Sequence, residues 1–201
     1  MLYALNELFA TLQGEGRNTG KPCVFVRFAG CNLRCPWCDT DCSPKLHLKE
    51  EALLARIADF GVKNVIFTGG EPLLQSGLEA LARQLKAQGF WLGIETNGTI
   101  EPSPALRELL DYIATSPKCD APLVITRANE VRLVVAAGVT ADWCRQVRAS
   151  VVAEEYYLSP CDVDGRLQVH PAITLLGELN ASESSTPWRL SLQTHKLAGI
   201  P

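Results

Sequence analysis

The sequence predicts an α/β fold: an incomplete, open (β/α) barrel of parallel strands. Short runs rich in β-branched and aromatic residues alternate with longer stretches whose apolar residues recur at helical spacing. Repeated strand–helix–strand units of this kind pair in parallel through right-handed crossovers. About six or seven such units fit the 201 residues, fewer than the eight that close a barrel. A doubly wound sheet is the alternative. No internal repeat, low-complexity tract or linker divides the chain, so residues 1–201 read as a single domain. A hydrophobic content of 47% is enough for one full core.

Residues 23–29, Cys-Val-Phe-Val-Arg-Phe-Ala, form a buried strand that delivers a cysteine-rich loop. Residues 50–60 carry apolar side chains at 53, 54, 57 and 60, one helical stripe, and Gly61 ends it. Residues 64–68 are a short buried strand running into Gly69-Gly-Glu-Pro72, and Ser76 caps a helix that ends at Gly89. Residues 91–96 are the next strand, broken by Asn97-Gly98. Ser103, with Pro104 at the first helical position, opens a helix to about Leu110. Strands follow at 112–116 and 130–136, and Thr140 caps a helix through Val152. A strand at 155–159, a helix at 171–179 and a final strand at 189–194 complete the series. The Ser- and Thr-rich stretch 180–187 reads as a surface loop and 198–201 as a tail.

Composition narrows the function. The formal net charge is −3 with no block of Lys and Arg, so the basic footprint of a duplex or tRNA binder is missing. Residues 1–7 lack the basic n-region and cleavage site of a signal peptide. No apolar run approaches the ~20 residues that would span a bilayer. Eight cysteines would suggest disulfides in a short secreted chain, but four fall between Cys31 and Cys42. Cys23, Cys119, Cys144 and Cys161 are scattered where a buried free thiol acts as a small hydrophobe, so a reducing cytoplasm is expected.

The cysteine loop carries the chemistry. In Gly30-Cys-Asn-Leu-Arg-Cys-Pro-Trp-Cys-Asp-Thr40, three thiolates at Cys31, Cys35 and Cys38 suit a cubane iron–sulfur cluster with one open iron. A structural zinc site wants four ligands, usually in two close-set pairs. Cys42 puts a fourth sulfur nearby, but no second Cys-x-x-Cys or His pair follows it. A zinc knob or an electron-carrying ferredoxin is the bland alternative, and neither needs βα units behind the loop. In a βα barrel the loops at the C-terminal strand ends converge on one face. Five polar segments fall there: Thr68-Gly-Gly-Glu-Pro72, Glu95-Thr-Asn97, Ser116-Pro-Lys118, Ser159-Pro-Cys-Asp162 and Gln193-Thr-His195. Gly69-Gly70 lets backbone approach a ligand more closely than any residue with a Cβ could. His47 and His170 read as turn or surface residues.

The three-then-two cysteine spacing, with an aromatic before the last cysteine, resembles the radical S-adenosylmethionine enzymes. The resemblance implies a trimmed core of that superfamily, with Cys31, Cys35 and Cys38 holding a [4Fe-4S] cluster. It further implies that S-adenosylmethionine chelates the fourth iron, and that one electron cleaves it to a 5′-deoxyadenosyl radical, which does the chemistry. Gly-Gly-Glu-Pro resembles the segment whose backbone and Glu hold the cofactor's amino group, which points to Gly70 and Glu71.

Phe9-Ala-Thr-Leu-Gln-Gly-Glu-Gly16, Arg27, the Cys-Asp-Thr40 of the cluster loop, Glu-Thr-Asn-Gly, Ser-Pro-Lys and the Thr-His-Lys tail together resemble the 7-carboxy-7-deazaguanine synthase family, from about Leu8 to Pro201. That family is a set of carbon–nitrogen lyases converting 6-carboxy-5,6,7,8-tetrahydropterin to 7-carboxy-7-deazaguanine with loss of ammonia, on the route to queuosine. The resemblance gives Leu12, Gln13, Gly14, Glu15, Arg27, Thr68, His195 and Pro201 to the pterin. Glu15 can accept two N–H bonds from a guanine-like edge, and Arg27 can grip a carboxylate bidentately. Taken alone, Glu15 reads as a solvated loop charge, Arg27 as a snorkelling strand residue and His195 as a core histidine. Trp37, Cys38, Asp39, Ser116, Pro117, Lys118 and the turn Ser159, Pro160, Cys161 and Asp162 are given to S-adenosylmethionine, and Thr40 to Mg²⁺. A flavodoxin or ferredoxin reductant and a homodimer are the partners implied, with no nucleic acid and no membrane. Competing readings are a glycyl-radical activase, which would lack the pterin clamp, and an iron–sulfur electron carrier.

Overall fold

The structure is a computed structural model that describes residues 1–181 and 186–201. The middle of the loop expected at 180–187 lies outside the described residues. The chain opens with β1 (Leu2–Leu12), β2 (Pro22–Phe28) and β3 (Leu46–Lys49). There follow α1 (Glu50–Asp59), β4 (Asn64–Gly69), α2 (Leu78–Ala87), β5 (Trp91–Thr96), α3 (Pro104–Leu109) and β6 (Tyr112–Thr115). Then come β7 (Arg127–Val135), α4 (Ala141–Ser150), β8 (Val152–Pro160), a small hairpin of β9 (Asp162–Val163) and β10 (Arg166–Leu167), α5 (Val169–Leu179), β11 (Trp188–Leu190) and α6 (Thr194–Ala198).

The main sheet has nine strands in the order β11-β8-β7-β6-β5-β4-β2-β1-β3. From β2 to β11 all neighbours are parallel, and their order follows the sequence without a reversal. A doubly wound sheet turns back at a switch point, so that alternative is excluded. With β11 and β3 as edges the barrel stays open.

Crossovers of one hand that always advance in one direction set the helices on one face of the sheet. Period-two alternation then sorts the side chains. Val24, Val26, Phe28, Val65, Phe67, Leu92, Ile94, Val131 and Leu133 join Leu53, Ile57, Leu81, Leu85 and Val147 of the helices in one core. The residues between them, including Phe25, Arg27, Ile66, Thr68, Glu95, Glu130 and Arg132, point to the other, inner face. The helices carry matching stripes, as in α2, where Leu78, Leu81, Ala82 and Leu85 are buried. Ser103 and Thr140 cap α3 and α4 as expected, accepting from Leu106 N at 3.0 Å and Trp143 N at 3.2 Å.

Several expectations need correction. Not every strand is parallel: β1 pairs antiparallel with both β2 and β3, and neither β1 nor β3 was expected. Ser76 does not cap α2; Gly77 occupies the N-cap, because residues 72–74 form a separate helical turn. Phe60 lies beyond the end of α1 and is 39% exposed. The helix α4 stops at Ser150, and Val152 already belongs to β8, which starts earlier than expected, as does β7. The final strand is only Trp188–Leu190, and Thr194 starts α6. All eight cysteines are free thiols; Cys23, Cys144 and Cys161 are buried and Cys119 is half-buried.

Candidate functional site

The cysteine loop leaves the end of β2 and is closed at its neck by Gly30 N donating to Cys42 O at 2.8 Å. Within it, Cys38 N donates to Cys35 O at 3.1 Å, and Leu33 N to Cys31 Sγ at 3.4 Å. The loop is seated on the end of β4, where Glu71 N donates to Gly30 O at 3.0 Å. Seating requires glycine: a Cβ on Gly70 would lie 2.0 Å from Gly30 O.

Two adjoining cavities open on the inner face. The first, about 370 Å³, is lined by Leu12, Gln13, Gly14, Glu15, Arg27, Thr68, His195 and Pro201, with Glu95 and Thr40. It therefore gathers every residue that the resemblance gives to the substrate. The second, about 420 Å³, is lined by Cys31, Cys35, Trp37, Cys38, Asp39, Gly70, Ser116 and Lys118. Glu15, Asp39, Thr40, Asp41, Thr68, Gly69, Glu95 and Gln193 form the wall common to both.

Strand register explains the first cavity. Glu7 of β1 is opposite Arg27 of β2, and Arg27 is opposite Thr68 of β4. Arg27 Nε donates to Glu7 Oε2 at 2.8 Å, and Thr68 Oγ1 to Glu95 Oε2 at 2.9 Å. Glu95 also accepts from Gln13 Nε2 at 3.1 Å and from Arg132 Nη2 at 2.7 Å. Arg132, 7% exposed, reaches Glu15 Oε2 and Glu130 Oε1 with Nη1, each at 3.5 Å. Burial opposes the charge on Glu95, but Arg132 and the hydrogen bonds outweigh it and hold the carboxyl below its ordinary range. Glu15 differs: burial pushes its carboxyl up by more than Arg132 draws it down, with Glu95 and Glu130 adding to the rise.

The chain end closes the cavity. Thr194 donates to Gly14 O through both N and Oγ1, each at 2.9 Å. Gly14 has no room for a side chain, since a Cβ would lie 2.0 Å from His195 Nδ1. His195 thus stands in the first turn of α6, not at a strand end, and burial lowers its pKa. Lys196 Nζ bridges Asp39 and Asp162, at 2.6 Å from each. Gly199, at φ +67°, turns the tail back so that Ile200 N donates to His195 O at 3.1 Å.

Of the expected residues, Glu71, Pro117, Ser159, Pro160, Cys161 and Asp162 are not at the walls of these two cavities. Glu71 is fully buried, and its carboxylate accepts from Leu73 N, Asn97 N and Thr96 Oγ1 at 2.7 to 3.0 Å, bracing the ends of β4 and β5. Ser159, Pro160 and Cys161 are buried at the end of β8, and Ser159 Oγ donates to Glu15 Oε1 at 3.4 Å. Pro117 borders a separate, smaller hollow beside Trp37. Lys118 Nζ donates to Ser116 O and Oγ, both at 2.7 Å. His47 and His170 are exposed, as expected. Arg132, Glu130 and Lys196 went unread. The signal for the first two was a pair of charges two apart in the otherwise apolar run 130–135, which places both on one face of a strand.

The radical SAM superfamily profile matches residues 25–124. A solved structure, QueE from Escherichia coli, superposes with a TM-score of 0.72 at 29% identity, over 96% of this chain and 94% of that one. The 7-carboxy-7-deazaguanine synthase of Haemophilus influenzae is 45% identical over 96% of this chain and 92% of its own. That of Neisseria meningitidis is 44% identical over 98% and 94%. The chain belongs to the 7-carboxy-7-deazaguanine synthase family.

A 7-carboxy-7-deazaguanine synthase is a radical S-adenosylmethionine enzyme, and its superfamily implies a [4Fe-4S] cluster and S-adenosylmethionine. The residues present fit both groups. Among the described residues no three His, Cys, Asp or Glu side chains stand close enough together to hold a single metal ion. Cys31, Cys35 and Cys38 lie on one loop and line the same cavity, and three thiolates are the donor set that a [4Fe-4S] cluster with one open iron takes. Gln193 Oε1 is buried without a partner among the described residues, in the wall common to both cavities. It is an acceptor left for the N–H or O–H of a bound molecule.

Proposed function

We propose that the chain converts 6-carboxy-5,6,7,8-tetrahydropterin to 7-carboxy-7-deazaguanine with release of ammonia, a step toward queuosine and other 7-deazapurines. The observation that carries this reading is the charged lining of the first cavity. Glu15 and Glu95, both paired with Arg132, and Arg27, paired with Glu7, line it together. The carboxylates accept N–H groups of the pterin's guanine-like edge, and Arg27 receives the substrate carboxylate. His195 and the terminal carboxylate of Pro201 complete the binding set from the chain end. When bound, the cluster and S-adenosylmethionine supply a hydrogen-abstracting carbon radical. Cys31, Cys35 and Cys38 hold the cluster. The Gly70 backbone, Ser116, Lys118, Trp37 and Asp39, with Glu71 behind them, position the cofactor, and the buried turn at 159–162 supports it.

Thr40 lies in the wall common to both cavities and is the proposed Mg²⁺ ligand. One hydroxyl cannot hold the ion, so the substrate carboxylate completes its shell. Mg²⁺ affinity should therefore rise when the pterin is present, and Thr40→Ala should remove that dependence; equal affinity with and without pterin argues against the site. A flavodoxin or ferredoxin reductant, a homodimer, a single domain over residues 1–201 and a cytoplasmic location belong to the same proposal. Eight free thiols support a reducing compartment, and no helix among the described residues is long and apolar enough to cross a membrane. The deciding experiment is an anaerobic assay of the reconstituted protein with the carboxytetrahydropterin. Appearance of the 7-deazaguanine chromophore is expected, and S-adenosylmethionine cleavage without it would refute the reading.

A further inference from the structure

We propose that Arg132 is a positioning residue for the substrate: it holds Glu15 and Glu95 side by side as two ionised acceptors in the cavity wall. The inference rests on the pterin reading of that cavity. Arg132 lines the cofactor-side cavity and not the substrate cavity, whereas Glu15 and Glu95 line both. Its action on the substrate therefore passes through the two carboxylates.

Two carboxylates sharing one low-dielectric wall repel each other, and without a counter-charge one of them takes up a proton. A protonated carboxyl presents an O–H donor where the proposed substrate edge presents N–H donors, so recognition fails at that oxygen. Arg132 opposes this with a fork no other side chain offers: Nη2 meets Glu95 at 2.7 Å while Nη1 meets Glu15 at 3.5 Å.

The guanidinium is itself anchored from behind. Glu130, 1% exposed, accepts from Tyr112 OH at 2.5 Å and from Arg17 N at 2.9 Å. Its Oε1 makes no hydrogen bond among the described residues and faces Arg132 Nη1 at 3.5 Å. Gly16 rests on the same carboxylate: a Cβ there would lie 2.2 Å from both Glu130 oxygens, at a backbone φ of +64°. The loop that carries Glu15 is thus docked on the residue that holds Arg132, so one buried group sets the place of both.

The test is a double-mutant cycle on the reconstituted holoenzyme, with kcat and KM measured for 6-carboxy-5,6,7,8-tetrahydropterin. Arg132→Gln should raise KM at least about tenfold, as expected for losing one partner of a buried charge pair, while kcat changes by no more than about threefold. Arg132→Lys keeps the charge but not the fork, and should raise KM less. Combined with Glu95→Gln, Arg132→Gln should raise KM by clearly less than the product of the two single effects, because part of its action passes through Glu95. Effects on KM that multiply, or an Arg132→Lys variant as impaired as Arg132→Gln, would overturn the proposal. Should Arg132→Gln fail to fold, the same cycle is run with Arg132→Lys and read by the same criterion. A wild-type protein that cleaves S-adenosylmethionine but leaves the pterin unchanged would refute the substrate reading instead.

Discussion

Burial pushes the carboxyls of both Glu15 and Glu71 upward, but their surroundings give them different tasks. Glu71 is surrounded by backbone and hydroxyl donors, so its charge is used up inside the protein. Glu15 has one ion pair at 3.5 Å and one long hydrogen bond, and the rest of its acceptor capacity faces the cavity. Because its carboxyl titrates above the ordinary range, the acid limb of kcat/KM should lie higher than a free glutamate would give, with KM rising as pH falls. A Glu15→Gln variant should lose that limb as well as affinity; an unchanged pH profile would rule Glu15 out as the ionised acceptor. The same raised value gives a stability contribution that is present at low pH and lost as pH rises through it. The cysteines yield a second prediction. Cys31, Cys35 and Cys38 face one cavity, and Cys42 borders it from the loop neck, where its backbone already has a structural task. Reconstituted Cys42→Ser should keep the cluster's iron content and absorbance, whereas Cys35→Ser loses both. Equal loss in the two variants would make Cys42 a ligand. The cysteines were legible as a local motif, whereas Glu15 and Arg27 entered only through the family resemblance, since taken alone each reads as an ordinary surface charge. Arg132 and Glu130 were not legible, because their meaning depends on partners far away in the sequence.

At the level of elements, strands buried on both faces announced themselves. β2, β4 and β5 are compact apolar runs ended by Gly or Asn, and their bounds differ little from expectation. β1 and β3 were missed because these antiparallel strands alternate in burial and carry Asn, Glu, His and Lys. α6 was missed for a different reason: five residues are too few to show a helical period. That short helix is held at its first residue to Gly14 and at its third to Asp39 and Asp162, so it lays the last residues against the substrate cavity. A C-terminal tag converts the Pro201 carboxylate to a neutral amide and obstructs its place. A charge-assisted hydrogen bond contributes ~1.5–3 kcal/mol, so KM for the pterin should rise at least about tenfold, with little change in S-adenosylmethionine binding. A tagged protein with the KM of the tag-free form would exclude a role for the chain end.

Across the whole molecule, one hydrophobic core runs from Tyr3 of β1 to Trp188 of β11. No boundary interrupts it, and every helix from α1 to α5 contributes to it. Heat unfolding of the metal-free protein should therefore be a single transition whose calorimetric and van't Hoff enthalpies agree. Two resolved transitions would contradict the one-domain proposal. The overall class was legible because a repeating unit states its own rule: each βα pair predicts where the next one goes. The antiparallel extension broke that rule at the start of the chain, ahead of the first crossover, where no preceding unit could signal it.

The strand order has a consequence in time. Each parallel strand lies beside the one made just before it, so a growing chain can lay down its sheet in the order of synthesis, with no strand waiting for a distant mate. The joins between the start and the end of the chain behave differently, above all the one between Gly14 and Thr194. It spans nearly the whole chain and cannot form until the last residues have left the ribosome. The scaffold is complete early, but the pocket is finished last, so a prematurely terminated chain has a sheet and no substrate site.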